Sequence, residues 1–206
     1  MARTTRTRND RYAAKPRTNS RNSSAPSAPP APRVHSSPAV EREPEQPRIY
    51  QTKNDLPQAT RVQVIELLNQ RLADGIDLQT QCKQAHWNVK GPTFIALHKL
   101  FDEINEDAEE YVDLIAERVV QLGGVAEGTV GVVAERSTLL DYPLGLSTGA
   151  EHVAALSDAL AGFGRAVRMG IGEMDELDDA DSADILTEIS RGVDKWLWFV
   201  EAHQQA

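Results

Sequence analysis

Residues 94–122 read FIALHKLFDEINEDAEEYVDLIAERVVQL, and this segment carries the clearest structural signal in the chain. Its apolar residues recur at three- and four-residue spacings from Phe94 through Phe101 and Ile115 to Leu122. That period places them on one face of an α-helix, which predicts a long helix with a continuous core-facing side. Gly123 and Gly124 follow at once and supply a C-terminal stop.

The same helical period continues on both sides of this segment. A preceding helix is predicted over 59–88, ended by a Gly-Pro pair, and two later helices over 150–177 and 182–203. The intervening section, 125–148, is rich in Gly and is long enough to run from one end of a bundle to the other, with a short helix inside. Four long helices with one long central crossover predict an all-α fold, a four-helix bundle of the ferritin-like kind.

Charge divides the chain of 206 residues into two unequal parts. Residues 1–40 hold eight bases and one acid, a net charge of +7, whereas 41–206 hold 14 bases and 30 acids, a net charge of −16. No Leu, Ile, Phe or Trp precedes Ile49, and eight of the eleven prolines lie before it. A segment that buries so little apolar surface cannot offset its ordering entropy, so 1–48 is predicted as a disordered tail and 49–206 as the folded domain.

Three roles are open for the basic tail. It is a solubilising extension, a targeting peptide, or an arm that binds a polyanion, most plausibly DNA. The targeting interpretation is disfavoured because the tail has no apolar helix face and no secretory apolar core. In the DNA interpretation each cation neutralises a phosphate without regard to sequence, and the predicted contacts are Arg3, Arg6, Arg8, Arg11, Lys15, Arg17 and Arg21.

The helix over 94–122 also carries a polar strip beside its apolar face. His98 and Asp102 are four residues apart, so one cation can contact both, and Asp113 and Glu117 repeat that spacing further along. His86 on the preceding helix returns close to His98 after the Gly-Pro corner. For carboxylates alone a solvated acidic face is the common interpretation, but imidazoles with carboxylates favour a site for iron, with zinc as a competitor.

Axial distance separates the two pairs. Asp102 and Asp113 are eleven residues apart, about 16 Å along a straight helix at 1.5 Å per residue. They cannot share a metal ion within one chain. Two antiparallel copies related by a two-fold axis can bring the first pair of one chain to the second pair of the other, which predicts a site that exists only in an oligomer.

These motifs resemble those of the Dps family, the DNA-binding mini-ferritins of starved bacteria. The resemblance covers about 49–204 and rests on KQAHWNVKG at 83–91, on the histidine and acidic positions of the strip, and on DKWLWF at 194–199. It implies a dodecameric shell built from two-fold dimers, with ferroxidase sites at the dimer interfaces. His86, His98 and Asp102 are then contributed by one subunit, and Asp113 and Glu117 by its mate.

The resemblance also implies a function. Members of this family oxidise Fe(II), often with hydrogen peroxide, store the ferric product as mineral and protect against oxidative stress; the expected location is the cytoplasm and nucleoid, with no membrane association. By the same analogy Asp181 and Asp184 line pores that admit iron. Two alternatives stay open: a nucleoid-structuring DNA-binding shell with little ferroxidase activity, and an iron store whose tail does not bind DNA.

Overall fold

The computed structural model describes residues 48–205, and the described part contains five helices and no strand longer than an isolated bridge. The helices are α1 (Gln58–Asn88), α2 (Phe94–Gln121), α3 (Val130–Arg136), α4 (Gly149–Glu176) and α5 (Ala180–Glu201). Four long helices and a crossover with one short helix confirm the predicted ferritin-like bundle. Each predicted helix boundary lies within two residues of the observed one. The predicted tail, 1–48, lies outside the described residues except for Arg48.

The bundle closes around one continuous apolar core. Its largest fully buried side chains include Leu68 and Leu72 from α1, Phe101 from α2 and Phe163 from α4. Burying a side chain of this size stabilises the fold by about 1.5–3 kcal/mol each. Leu186 of α5 is equally buried, so all four long helices contribute to the same core. Cys82 is buried among them, as expected for a small apolar filler.

Polar side chains fix where α4 and α5 start. α4 begins with a capping box, in which the Thr148 hydroxyl accepts from the Glu151 N–H and the Glu151 carboxylate accepts from the Thr148 N–H. α5 begins at Asp179, whose carboxylate accepts from the Ser182 N–H. The Thr148 end of α4 lies beside the α1–α2 corner, through a bridge to Lys90. The crossover therefore runs the length of the bundle.

Buried carboxylates on α1 hold that crossover in place. Asp74 is fully buried, and its Oδ1 accepts from the N–H and the hydroxyl of Thr138 at 2.7 and 3.0 Å. Ser137 donates to Asp77, and the Gln81 amide donates to the Leu140 carbonyl. Among residues 48–205 no helix is both long enough and apolar enough to cross a membrane.

The sequence interpretation of Phe94 was wrong. Phe94 falls on the apolar face of α2, yet its side chain is 42% exposed. It opens the helix beyond the last layer of the core, and its ring lies against His98, with centroids 5.1 Å apart. The aromatic ring thus belongs to the surroundings of the imidazoles.

Candidate metal centre

Two histidines from different helices meet at the corner between α1 and α2. His86 lies in the last turn of α1, and His98 lies in the second turn of α2. The corner turns sharply at Gly91, whose φ of +109° is a left-handed conformation that side chains rarely adopt. The two imidazole rings stack with their centroids 3.7 Å apart and 20° between their planes.

The backbone fixes both rings in the same tautomer. Nδ1 of His86 lies 2.7 Å from the carbonyl oxygen of His98, and Nδ1 of His98 lies 2.9 Å from the carbonyl oxygen of His86. A carbonyl oxygen only accepts, so each Nδ1 is the donor and each neutral ring keeps its lone pair on Nε2. Metal-binding histidines are commonly oriented by this Nδ1–H···O=C bond.

Asp102 adds a carboxylate one turn beyond His98. Its Oδ1 accepts from Lys83 Nζ at 2.6 Å and lies 3.7 Å from Nδ1 of His86. The hydrogen bond from Lys83 lowers the pKa of Asp102, and the nearby charges of His86, Lys83 and His98 add to the same direction against a smaller effect of burial. The carboxylate is therefore anionic at neutral pH. Its side chain is 40% exposed, which leaves Oδ2 accessible to an incoming cation.

Asp113 and Glu117 lie on the C-terminal half of α2, and both are exposed. The structure thus brings together His86, His98 and Asp102, and it leaves the other two predicted ligands apart from them in the same chain. Within residues 48–205 of a single chain, no group of three or more His, Cys, Asp or Glu side chains is arranged to hold a metal ion. The three residues at the corner are thus only part of the predicted ligand set.

Comparisons with known proteins agree with the bundle. The family model described as a ferritin-like domain matches residues 65–206. A protein of Agrobacterium fabrum named "DNA protection during starvation protein" is 44% identical over 158 residues, covering 77% of this chain and 98% of that relative. This chain belongs to the Dps family of ferritin-like proteins. Its Dps fold is similar to two solved structures. The structure of Dps from Mycobacterium smegmatis has a TM-score of 0.73 and is 33% identical in sequence. That match covers 76% of this chain and 94% of the Mycobacterium smegmatis chain. The structure of DpsC from Streptomyces coelicolor has a TM-score of 0.75 and is 30% identical in sequence. That match covers 80% of this chain and 97% of DpsC.

A cavity of about 600 Å³ opens along the C-terminal half of α1 in this Dps chain. Lys83, which binds Asp102, lines it together with Trp87, Asn105 and Tyr142. The side chain of Trp87 is 67% exposed in the single chain. The amide oxygen of Asn105 is buried and has no hydrogen-bond partner in the described part of the chain.

The acidic positions predicted for pores fall at the start of α5. Asp181 and Asp184 are both exposed, and Arg118 Nη1 lies 3.6 Å from the Asp181 carboxylate. Arg118 itself is buried, and it donates to Asp179 at 2.7 Å and to the Ser182 hydroxyl at 2.9 Å. Asp179, at the same helix start, is buried and paired with Arg118, so it is a structural residue and not a pore acid.

Proposed function

We propose that this Dps chain oxidises Fe(II) at sites shared between two subunits and stores the ferric product inside a dodecameric shell. His86, His98 and Asp102 supply one half of each site, and Asp113 and Glu117 of a two-fold-related copy supply the other. Hydrogen peroxide is the proposed oxidant. Two Fe(II) ions give one electron each, and one peroxide with two protons becomes two water molecules. The protein acts in the cytoplasm and nucleoid in protection against oxidative stress.

The observation that carries this proposal is the reciprocal pair of hydrogen bonds between the two histidines. Each bond uses the Nδ1 proton and leaves an Nε2 lone pair, which is the form of imidazole that ligates a metal. A solvated acidic helix face requires no such arrangement. The exposed carboxylates of α2 can neutralise the cation and tolerate its increase in charge, while the imidazoles set the geometry. The same ligands suit zinc, which we expect to compete for the site.

The two-fold arrangement is supported by the geometry of α2. Asp113 lies about 16 Å along the helix axis from Asp102, too far for a shared ion in one chain. Both Asp113 and Glu117 are exposed and so are available to a neighbour. An antiparallel copy would exchange ligands symmetrically, giving two equal sites for each dimer.

Mixing two inactive variants tests this arrangement directly. One chain carries His86→Ala with His98→Ala, and the other carries Asp113→Asn with Glu117→Gln. Each variant assembled alone should lose Fe(II) oxidation. When the two are unfolded together and reassembled, half of the dimers are mixed, and each mixed dimer regains one complete site of its two. We expect recovery of about a quarter of the parent's initial rate.

The same mixture gives no recovery if each site lies within one chain. Zinc binding to the assembled mixture provides a second readout that does not depend on turnover. Matched controls are His203→Ala and Glu201→Gln, which alter an exposed histidine and an exposed acid at the C-terminal end of the described chain. A rate near zero in the mixture, with intact assembly, would refute the shared site.

DNA binding through the basic tail is the second part of the proposal. It is supported by the net charge of +7 over residues 1–40, on a body whose net charge is −16. Deleting 1–40 should abolish a DNA gel shift, and the shift of the full chain should weaken steeply as salt increases. Retention of the shift in the truncated protein would refute the role of the tail. If the truncated protein oxidises Fe(II) at the rate of the full chain, DNA binding and iron oxidation are independent functions.

Iron entry is proposed at the start of α5. Asp181 and Asp184 are exposed and three residues apart, and carboxylates of this kind raise the local concentration of cations. Replacing both with Asn should slow iron uptake into the assembled shell and leave zinc binding at the histidines unchanged. Equal uptake by the variant and the parent would remove these residues from the entry route.

A further inference from the structure

A second histidine outside the ligand set is bonded to a tyrosine. Tyr142 of the crossover and His152 in the first turns of α4 lie with the tyrosine hydroxyl 2.7 Å from Nδ1 of the imidazole. The rings are near-parallel, with 18° between their planes and centroids 6.1 Å apart. His152 is only 1% exposed. Neither residue belongs to the proposed iron site or to a helix cap.

The direction of the hydrogen bond follows from the surroundings of His152. Burial lowers the pKa of His152 and outweighs the Asn88 carbonyl and the Glu151 carboxylate, which raise it. The ring is therefore neutral. Nε2 is buried without a hydrogen bond of standard geometry, and the Asn88 carbonyl is the acceptor that faces the ring. The proton therefore belongs on Nε2, and Nδ1 accepts from the Tyr142 hydroxyl.

The geometry of this pair suits the simultaneous loss of an electron and a proton by Tyr142. Burial raises the pKa of Tyr142, and the neighbouring Cys82 adds to the same direction, so the phenol does not ionise before it is oxidised. A partly buried phenol that loses an electron becomes a very strong acid and must lose its proton at once. The basic Nδ1 at 2.7 Å is a ready acceptor, which makes Tyr142 easier to oxidise than a phenol with no base beside it.

The position of Tyr142 connects the pair to the proposed iron chemistry. Tyr142 lines the same cavity as Lys83, and Lys83 donates to the ligand Asp102. Cys82, the neighbour of the Tyr142 ring, is one turn before His86, about 6 Å along α1. Tyr142 thus lies on the same cavity as Lys83, the residue that contacts the proposed ligand Asp102.

We propose that Tyr142 and His152 form a trap for one-electron oxidants such as the hydroxyl radical that Fe(II) produces from peroxide. This rests on the proposed function, which brings Fe(II) and peroxide together: a site that holds a single Fe(II) gives peroxide only one electron, so Fe(III), hydroxide and a hydroxyl radical form instead of water. Tyr142 gives one electron to the hydroxyl radical, which becomes hydroxide, and the phenolic proton moves to Nδ1 of His152. A later Fe(II) returns the electron and becomes Fe(III), and the proton returns to the tyrosine oxygen.

Freeze-quench electron paramagnetic resonance on the assembled full chain tests the trap. After Fe(II)-loaded protein is mixed with peroxide, we expect a tyrosyl radical that is lost in Tyr142→Phe and kept in Tyr50→Phe, which alters an exposed tyrosine. His152→Asn keeps an acceptor for the hydroxyl but not a base. Its tyrosyl radical should form at least tenfold more slowly. An equal radical yield in Tyr142→Phe and the parent would overturn the proposal, as would an unchanged rate in His152→Asn.

An oxidant that needs no iron separates this proposal from the function on which it rests. Azide radicals made by pulse radiolysis oxidise tyrosine directly, and the tyrosyl absorbance should again depend on Tyr142 and form more slowly in His152→Asn. If Fe(II) is not oxidised while this dependence holds, the iron site fails and the pair stands. If Fe(II) is oxidised normally and neither oxidant gives a Tyr142-dependent radical, the trap alone is refuted.

Discussion

The polar side chains at the two ends of α2 differ in how fully they are hydrogen-bonded. At the C-terminal end Arg118 is buried with Asp179 and Ser182, and the three satisfy one another. At the N-terminal end His98 meets His86 and Asp102, but each imidazole bonds through Nδ1 only and keeps Nε2 for another partner. A closed polar cluster stabilises the fold, whereas a cluster with unused lone pairs is prepared for a ligand. The difference lies in the hydrogen bonds, since both clusters are rich in charged residues.

Breaking the closed cluster should have a large effect on stability. Arg118→Met leaves the Asp179 carboxylate buried without its cation, because the side chains of the pair are only 6% and 2% exposed. We expect a loss of about 3–5 kcal/mol in the free energy of unfolding. Urea unfolding at a fixed subunit concentration measures it. Adding Asp179→Ser, which removes the charge and keeps a capping side chain, should recover part of the loss. No recovery would mean that Arg118 acts through packing alone.

The open cluster consists of His86, His98 and Asp102. Breaking it should slow Fe(II) oxidation far more than it lowers the stability of the fold. His98→Ala removes one Nε2 lone pair and the Nδ1 donor that holds the His86 carbonyl. Initial Fe(II) oxidation should fall by about 100-fold, because removing even an orienting partner of a metal ligand commonly costs 10–100-fold. His203→Ala, at an exposed position, is the matched control. Thermal unfolding should change little in either variant, and a full oxidation rate in His98→Ala would remove it from the site.

Lys83 sharpens the contrast, since its ammonium binds one carboxylate of the open cluster, that of Asp102. Its ammonium occupies Oδ1 of Asp102 and repels an incoming metal ion. Lys83→Gln should therefore raise the affinity of the assembled protein for Zn(II) by about tenfold. Calorimetric titration measures this change, with Lys99→Gln as an exposed control on the same corner. A weaker affinity in Lys83→Gln would show that orientation of Asp102 outweighs repulsion.

The sequence predicts more of the fold than of the site, for a physical reason. Helix period and the Gly-Pro corner are local signals, so the four long helices and the meeting of His86 with His98 could be predicted. The hydrogen bonds from Nδ1 to backbone carbonyls depend on the side-chain rotamers that form when the helices pack. The tautomer of the two histidines therefore could not be predicted from the sequence. The interpretation of Phe94 failed because periodicity assigns a face and not a depth. Tyr142 lies in the crossover, which has no helical repeat, and His152 lies ten residues later in α4, so no spacing rule indicates their contact.

The N-terminal end of α2 also borders a purely structural device, the capping box of α4. Thr148→Ala removes the hydroxyl that accepts from the Glu151 N–H and should cost about 1 kcal/mol in the free energy of unfolding. Hydrogen bonds from the backbone of Thr148 and Ser147 and from the Thr148 hydroxyl lower the pKa of Glu151 from 4.5 to about 2. A lowered pKa means that the carboxylate stabilises the fold fully above pH 4.5 and loses this contribution as pH falls toward 2. The free energy of unfolding of Thr148→Ala and that of the parent should therefore become more similar as pH falls from 4.5 toward 2. Urea unfolding at a series of pH values measures this change. A difference that stays constant with pH would show that the hydroxyl caps α4 without the help of Glu151.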